Sequence, residues 1–325
     1  MSLSAAQLDR AGGVLLGQAC GDALGVPYEF GRAPGKDEVA AMSGGGLGGY
    51  APGEYSDDTQ MAACIAQVSA TGADLSSEEG LDAVGARFVD WVGGNPPDVG
   101  NQTRSVLAAA SRVSGSVSRA LLKASRTYAA SNPRSAGNGA LMRTSVIGIS
   151  SIADRARTAS SARLVAELTH GDPLAGDSCV LWSEAVRVAV LDQRLDLVSG
   201  IELLPVKRRD FWAGCITAAE QQRPATFNPN GFTVTALQAA WAAITWTPRP
   251  ERPADHLVDA LHAVVRIGND TDTVAAITGG LLGAYWGRSA IPPEWDQLVH
   301  GWPGLRSADL VRLAIQTAQG GAVES

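Results

Sequence analysis

The chain is short of aromatic residues, cysteine and histidine. Phe, Trp and Tyr make up 6% of its 325 residues, and it has four cysteines and four histidines. With so few large rings, the core must be built from small side chains, which let helices approach closely. Cys20, Cys64, Cys179 and Cys215 show no metal-ligand spacing, and three of them fall in apolar, helix-like stretches. They read as reduced core residues, which excludes a disulfide framework. His256 and His262 are six positions apart and do not share a helix face, which argues against zinc. Basic residues are also scarce: 26 Lys and Arg against 33 Asp and Glu leave a net charge of −7. That excludes a dedicated nucleic-acid binder with a basic face. The uncharged run from Thr273 to Gly287 is too short and too rich in glycine for a bilayer span, which needs about 20 residues. Leu16-Gly-Gln-Ala-Cys20 lacks lipoprotein spacing, and Asp9 precedes it. No leader is evident, so the expected location is the cytoplasm. The glycine-dense run Ser43 to Gly49 follows no strand and opens no helix, so it is no dinucleotide fingerprint but a loop that could flank a site. No Gly-x-Ser-x-Gly or Cys–His arrangement supplies a covalent nucleophile, and no hairpin signal or fixed repeat occurs.

What is present is helical periodicity. The pattern predicts helices over 5–24, from the acidic motif at 56–59 to about 69, and over 81–92 and 103–111. Further helices are predicted over 160–169, 173–191, 210–221, 234–245, 255–265, 272–287 and 307–318. The stretch 111–134, rich in Ser, Ala and Arg, reads as a weakly ordered surface helix or loop. Gly137 to Arg143 reads as the start of a helix. The expectation is one all-α domain over 1–325, monomeric, with its Pro/Gly-rich loops on one face.

Two acidic motifs stand out. Ser56-Asp57-Asp58-Thr59 precedes the apolar run Met61 to Ile65, and Asn269-Asp270-Thr271-Asp272-Thr273 precedes Val274 to Tyr285. Each alone is an ordinary helix start, with Ser56 or Asn269 as cap and acids in the first turn. Yet paired acids repel unless a cation lies between them, and both helices are apolar enough to bury their N-termini. If the motifs meet, four carboxylates and two hydroxyls converge, a set suited to hard cations in a two-metal hydrolytic centre.

Four segments, in order, carry a family resemblance: Gly21-Asp-Ala-Leu-Gly-Val-Pro-Tyr-Glu-Phe30, Pro52-Gly-Glu-Tyr-Ser-Asp-Asp-Thr-Gln-Met61, Gly137-Asn-Gly-Ala-Leu-Met-Arg143 and Gly268-Asn-Asp-Thr-Asp-Thr-Val-Ala-Ala-Ile277. Together they resemble the ADP-ribosylglycohydrolase family across nearly the whole chain. The resemblance implies an all-α fold, two divalent cations (Mg2+ or Mn2+) and hydrolysis of the bond between ADP-ribose and an acceptor. It implies Ser56, Asp57, Asp58, Asp270, Asp272 and Thr273 as metal ligands. Ser56 stands where the family more often has Thr, and Asn269 where it usually has Gly. It implies Glu29 as the residue that orders a water over the metals, with Glu29 or a metal-holding carboxylate, Asp58 among them, handling protons. Asp98 would border the acceptor, Asn138 and Gly139 the diphosphate and distal ribose, and His170 the substrate. Read without the resemblance, Glu29 is a surface acid, Asp98 a helix cap, Asn138-Gly139 a plain turn and His170 a helix-end cap. The expected substrate is an ADP-ribosylated protein, most simply on arginine, or an ADP-ribosylated small molecule. Serine or nucleic-acid linkages, a two-metal phosphoesterase acting on the diphosphate, and a non-catalytic ADP-ribose binder are the alternatives.

Overall fold

A computed structural model describes residues 2–111, 115–249 and 252–321. The described residues form α1 (Ala5–Gly25), α2 (Asp57–Ser69), α3 (Glu78–Gly93), α4 (Asn101–Ala110), α5 (Val117–Ser131), α6 (Ile147–Ser150) and α7 (Arg155–Glu167). They continue with α8 (Pro173–Asp192), α9 (Val206–Gln221), α10 (Thr233–Trp246), α11 (Pro253–Val265), α12 (Thr271–Trp286), α13 (Pro293–Leu298) and α14 (Ser307–Ala318). The expected all-α class holds.

The centre of the fold is the antiparallel pair α1 and α12, with α2, α8, α10, α11 and α14 packed around it. Ser4 and Gln7 close a reciprocal capping box at the start of α1, and every residue from Ala11 to Gly25 is buried. The two helices touch through backbone. A Cβ built on Gly13 would lie 2.2 Å from the Gly283 oxygen, one on Gly17 2.3 Å from the Gly279 oxygen, and one on Gly21 2.0 Å from the Ala275 oxygen. At Gly25 it would lie 2.4 Å from the Asp272 Cα. These glycines recur every four residues, one helical face, so the stripe lays α1 flat against α12. Its last contact fixes the end of α1 against the first turn of α12. Thr271 Oγ1 adds a 2.8 Å bond to the Gly25 carbonyl at that end.

Several elements depart from the expected pattern. The Ser/Arg-rich stretch holds a firm helix, α5, because Ser118, Ala120, Leu121 and Ser125 form a buried stripe; residues 112–114 lie outside the described part. Residues 138–143 form a 3-10 turn, not the start of an α-helix. Asp98 caps nothing, since α4 begins at Asn101 behind Gly100. α7 starts earlier than the periodicity suggests because Asp154 caps it by accepting from the Arg157 N–H. A short antiparallel pair, His300–Gly301 with Leu305–Arg306, was not foreseen. Two-residue strands are too short to show alternation. No described helix is long and apolar enough to cross a membrane.

Candidate active site

The first acidic motif opens α2, but its cap comes from another helix. Ser56 occupies the cap position without its side chain capping. Asp22, fully buried on α1, does the capping: its carboxylate accepts from Ser56 N at 2.8 Å and Thr59 N at 2.9 Å. Two orphan N–H groups of the helix start are thereby satisfied. The Ser56 hydroxyl is left to face Asp22 Oδ1 at 2.8 Å, Asp58 Oδ2 at 2.9 Å and Asp272 Oδ2 at 3.2 Å. One hydroxyl proton cannot serve three carboxylates.

The second motif opens α12. Asn269 takes a left-handed φ of 58°, a conformation that Asn tolerates better than most residues and Gly adopts freely. The turn is pinned by Asn230, whose side chain accepts from Asp270 N at 3.1 Å and donates to the Gly268 carbonyl at 3.1 Å. Asn138 donates its side-chain N–H to Asp270 Oδ2 at 2.7 Å and to the Asn230 carbonyl at 3.1 Å. Asn138 thus holds an acid of the cluster directly.

The two motifs do meet. Carboxylate oxygens of Asp22, Asp58 and Asp272 lie within 4.8 Å of one another, and those of Glu29, Asp270 and Asp272 form a second such trio. Asp57 belongs to neither trio and lines the adjoining cavity with Thr273. Among the described residues, no Lys or Arg forms an ion pair with any of these acids. Burial pushes Asp57, Asp58 and Asp272 well above the usual carboxylate range, with neighbouring acids adding to it. Burial likewise lifts Asp22 to about 6, against the bonds from Thr59 and Ser56. Burial, then Asp270 and Asp98, lift Glu29 to about 8. Asp58 Oδ1 and Glu29 Oε2 are buried without any hydrogen-bond partner. An unpartnered, all-oxygen cluster of this kind fits hard divalent cations.

Above the acids is a cavity of about 400 Å³. Glu29, Asp57, Asp270 and Thr273 line it beside Asn138, which bonds Asp270. Its walls also include Phe30, Leu47, Asp98, Val99, Gln102, Gly139, Met142 and His170. His170 is buried and held as a neutral ring: burial, then Arg143, lower it to about 3. The Thr169 hydroxyl accepts from Arg143 Nη2 at 2.7 Å and shares a 2.8 Å hydrogen bond with His170 Nδ1, which fixes the ring's orientation. A Cβ on Gly139 would stand 3.1 Å from His170 Nε2, so Gly139 leaves the ring its room. Arg143 braces the same turn by donating to the Gly139 carbonyl at 3.1 Å.

All the residues singled out in the sequence therefore reach one region. Asp22, Asn230 and Gln102 were missed.

A helical fold with a buried acidic cluster beneath a cavity fits a hydrolase, and comparison with known proteins gives the class as hydrolases of ADP-ribosyl bonds. A profile of the ADP-ribosylglycohydrolase family matches residues 3–322, and the chain belongs to that family. It is 29% identical over 302 residues to an ADP-ribosylarginine hydrolase, Tri1, of Serratia proteamaculans, covering 90% of this chain and 76% of that one. It is 28% identical over 297 residues to the ADP-ribosyl-[dinitrogen reductase] glycohydrolase of Rhodospirillum rubrum, covering 88% and 89%. A solved ADP-ribosylglycohydrolase-related protein complex superposes with a TM-score of 0.71 at 25% identity, covering 97% of this chain and 99% of its own.

Proposed function

We propose that this protein hydrolyses the N-glycosidic bond between ADP-ribose and an arginine side chain on protein, using two divalent cations, Mg2+ or Mn2+. The carrying observation is the pair of carboxylate trios that share Asp272, buried in all but the half-buried Glu29 and, among the described residues, without an ion-pair partner. The arginine reading draws on the Tri1 relatives, named for that linkage.

Ser56, Asp57, Asp58, Asp270, Asp272 and Thr273 would hold the cations, with Asp22 steering Ser56 from behind. When bound, the cations supply positive charge that grips the ribose hydroxyls and offsets the carboxylates. The other steps belong to side chains. The Gly139 turn and His170 face the diphosphate and ribose, while Asn138, its side-chain N–H groups held by Asp270 and Asn230, fixes that turn against the acids. Glu29, a carboxylate once cations offset the acids around it, takes the proton of the attacking water as the water oxygen bonds to C1, with Asp58 of the neighbouring trio as the second carboxylate. The C1–N bond breaks, its electron pair leaves with the guanidine nitrogen, and the proton held by Glu29 restores the guanidinium. Carboxylates around C1 stabilise the oxocarbenium-like transition state. Asp98 faces the acceptor, where a carboxylate matches a guanidinium.

A panel of arginine-, serine- and nucleotide-linked ADP-ribose, assayed with EDTA, Mg2+ or Mn2+, tests the reading. Cation-dependent release of free ADP-ribose from the arginine linkage is expected, with loss of about 100-fold or more in Glu29→Gln. Release of AMP would point to diphosphate cleavage instead, and tight ADP-ribose binding without turnover to a non-catalytic member.

A further inference from the structure

Two large apolar side chains stand exposed in the wall of this cavity, beside its acids. Phe30 and Leu47 are each 60% exposed, and both line it together with Glu29 and Asp98. Neither is a loose loop tip. Phe30 has a left-handed φ of 47°, an outlier for a bulky residue. Its N–H donates to the Asn269 carbonyl at 2.7 Å, and Asn269 is left-handed as well. Leu47 projects from a loop whose ends are tied by Gly45 N to Tyr50 O at 2.7 Å and Tyr50 N to Gly45 O at 2.9 Å. Within that loop Gly46 lies so close to the Val26 carbonyl that a Cβ would stand 2.5 Å away. Both backbones are therefore held in place while the side chains have no protein partner to cover them.

The position of the ring says which part of a ligand it meets. Phe30 follows Glu29, and its N–H bonds the carbonyl of the residue before Asp270, so it lies at the end where the cavity meets the acid cluster. Under the functional reading above, on which this inference rests, that end holds C1 of the ribose and whatever is attached to it. We propose that Phe30, flanked by Leu47, is the acceptor-specificity element: its ring stacks on the plane of the arginine guanidinium while Asp98 supplies the opposite charge. A guanidinium is flat, cationic and weakly hydrated, and aromatic faces attract it. A serine-linked acceptor presents no such plane, and so gains nothing from the ring.

The test compares wild type, Phe30→Ala and Phe30→Tyr on ADP-ribosylarginine and ADP-ribosylserine peptides in saturating Mg2+. ADP-ribose affinity and melting temperature are measured in parallel. Phe30→Ala should lower kcat/KM on the arginine linkage about tenfold, mainly through KM. ADP-ribose affinity, residual serine-linkage turnover and melting temperature should be unchanged. Phe30→Tyr, which keeps an aromatic face, should restore most of the loss. An equal loss on both linkages would overturn the proposal. So would a matching loss of ADP-ribose affinity, which would put the ring against the adenosine or ribose. A wild-type protein inactive on every linkage would overturn the functional reading and this inference with it.

Discussion

Replacing Gly279 with alanine sets two effects of opposite sign against each other. By helix propensity alone Ala is better than Gly by about 1 kcal/mol. The geometry predicts the reverse. The new Cβ would stand 2.0 Å from the Gly17 oxygen. Both parties are backbone, so no rotamer change relieves the clash, and α1 and α12 must part by about 1 Å or more. Overpacking of that kind costs about 1–3 kcal/mol, occasionally more, and parting the pair also loosens contacts along a helix buried from Ala11 to Gly25. Packing therefore wins, for a net loss of up to about 2 kcal/mol. Urea unfolding followed by tryptophan fluorescence measures it. Gly214→Ala is the control, because Gly214 lies in α9 with nothing within 4 Å of its Cβ position; it should gain about 0.5–1 kcal/mol. Mn2+ affinity should fall in Gly279→Ala and hold in Gly214→Ala, since the stripe also sets Asp272 against the end of α1. If the two variants are equally stabilised, the backbone contact is absent and the argument fails.

Two further perturbations probe the cluster. Asp22 and Glu29 titrate higher in the fold, at about 6 and about 8, than in an unfolded chain. The cation-free fold therefore holds protons that the unfolded chain has released, and its stability falls as pH rises from about 4 to about 8. Mg2+ or Mn2+ should raise the melting temperature more at about pH 8 than at about pH 5 in differential scanning fluorimetry; an increment independent of pH would count against a cation at these acids. Asp22→Asn replaces an acceptor of three donors with a group that can present N–H to them. It should cost about 1–2 kcal/mol of stability and weaken cation binding, read by denaturation and by calorimetry; unchanged cation affinity would mean that Asp22 does not position Ser56.

Asp57, Asp58, Asp270 and Asp272 were readable in the sequence for a physical reason. Acids at the head of an apolar helix announce a buried N-terminus, and a buried N-terminus must have neighbours. The scarcity of large rings pointed to a core of small side chains, though not to the four-residue glycine stripe of α1 against α12. Asp22 escaped because its partners, Ser56 N and Thr59 N, are backbone groups of a distant segment, and a cap supplied across the fold leaves no local signature. Asn230 escaped for the same reason, since it acts on Gly268 and Asp270 from a loop whose own sequence looks ordinary. The firmness of α5 was hidden by composition: serines and alanines bury as well as leucine where helices pack closely, but they do not stand out in a hydrophobicity pattern.

The backbone contact between Gly17 and Gly279 also orders events in time. Asp22, Asp57 and Asp58 leave the ribosome well before Asp270 and Asp272, yet the early acids have no partner trio until the late ones arrive. A nascent chain thus carries two acids of one trio and one of the other, too few ligands to hold an ion firmly. A chain interrupted before α12 lacks both the second set of acids and the helix against which α1 is buried. Catalytic competence and the finished core are completed by the same segment, so no partly folded product should be active.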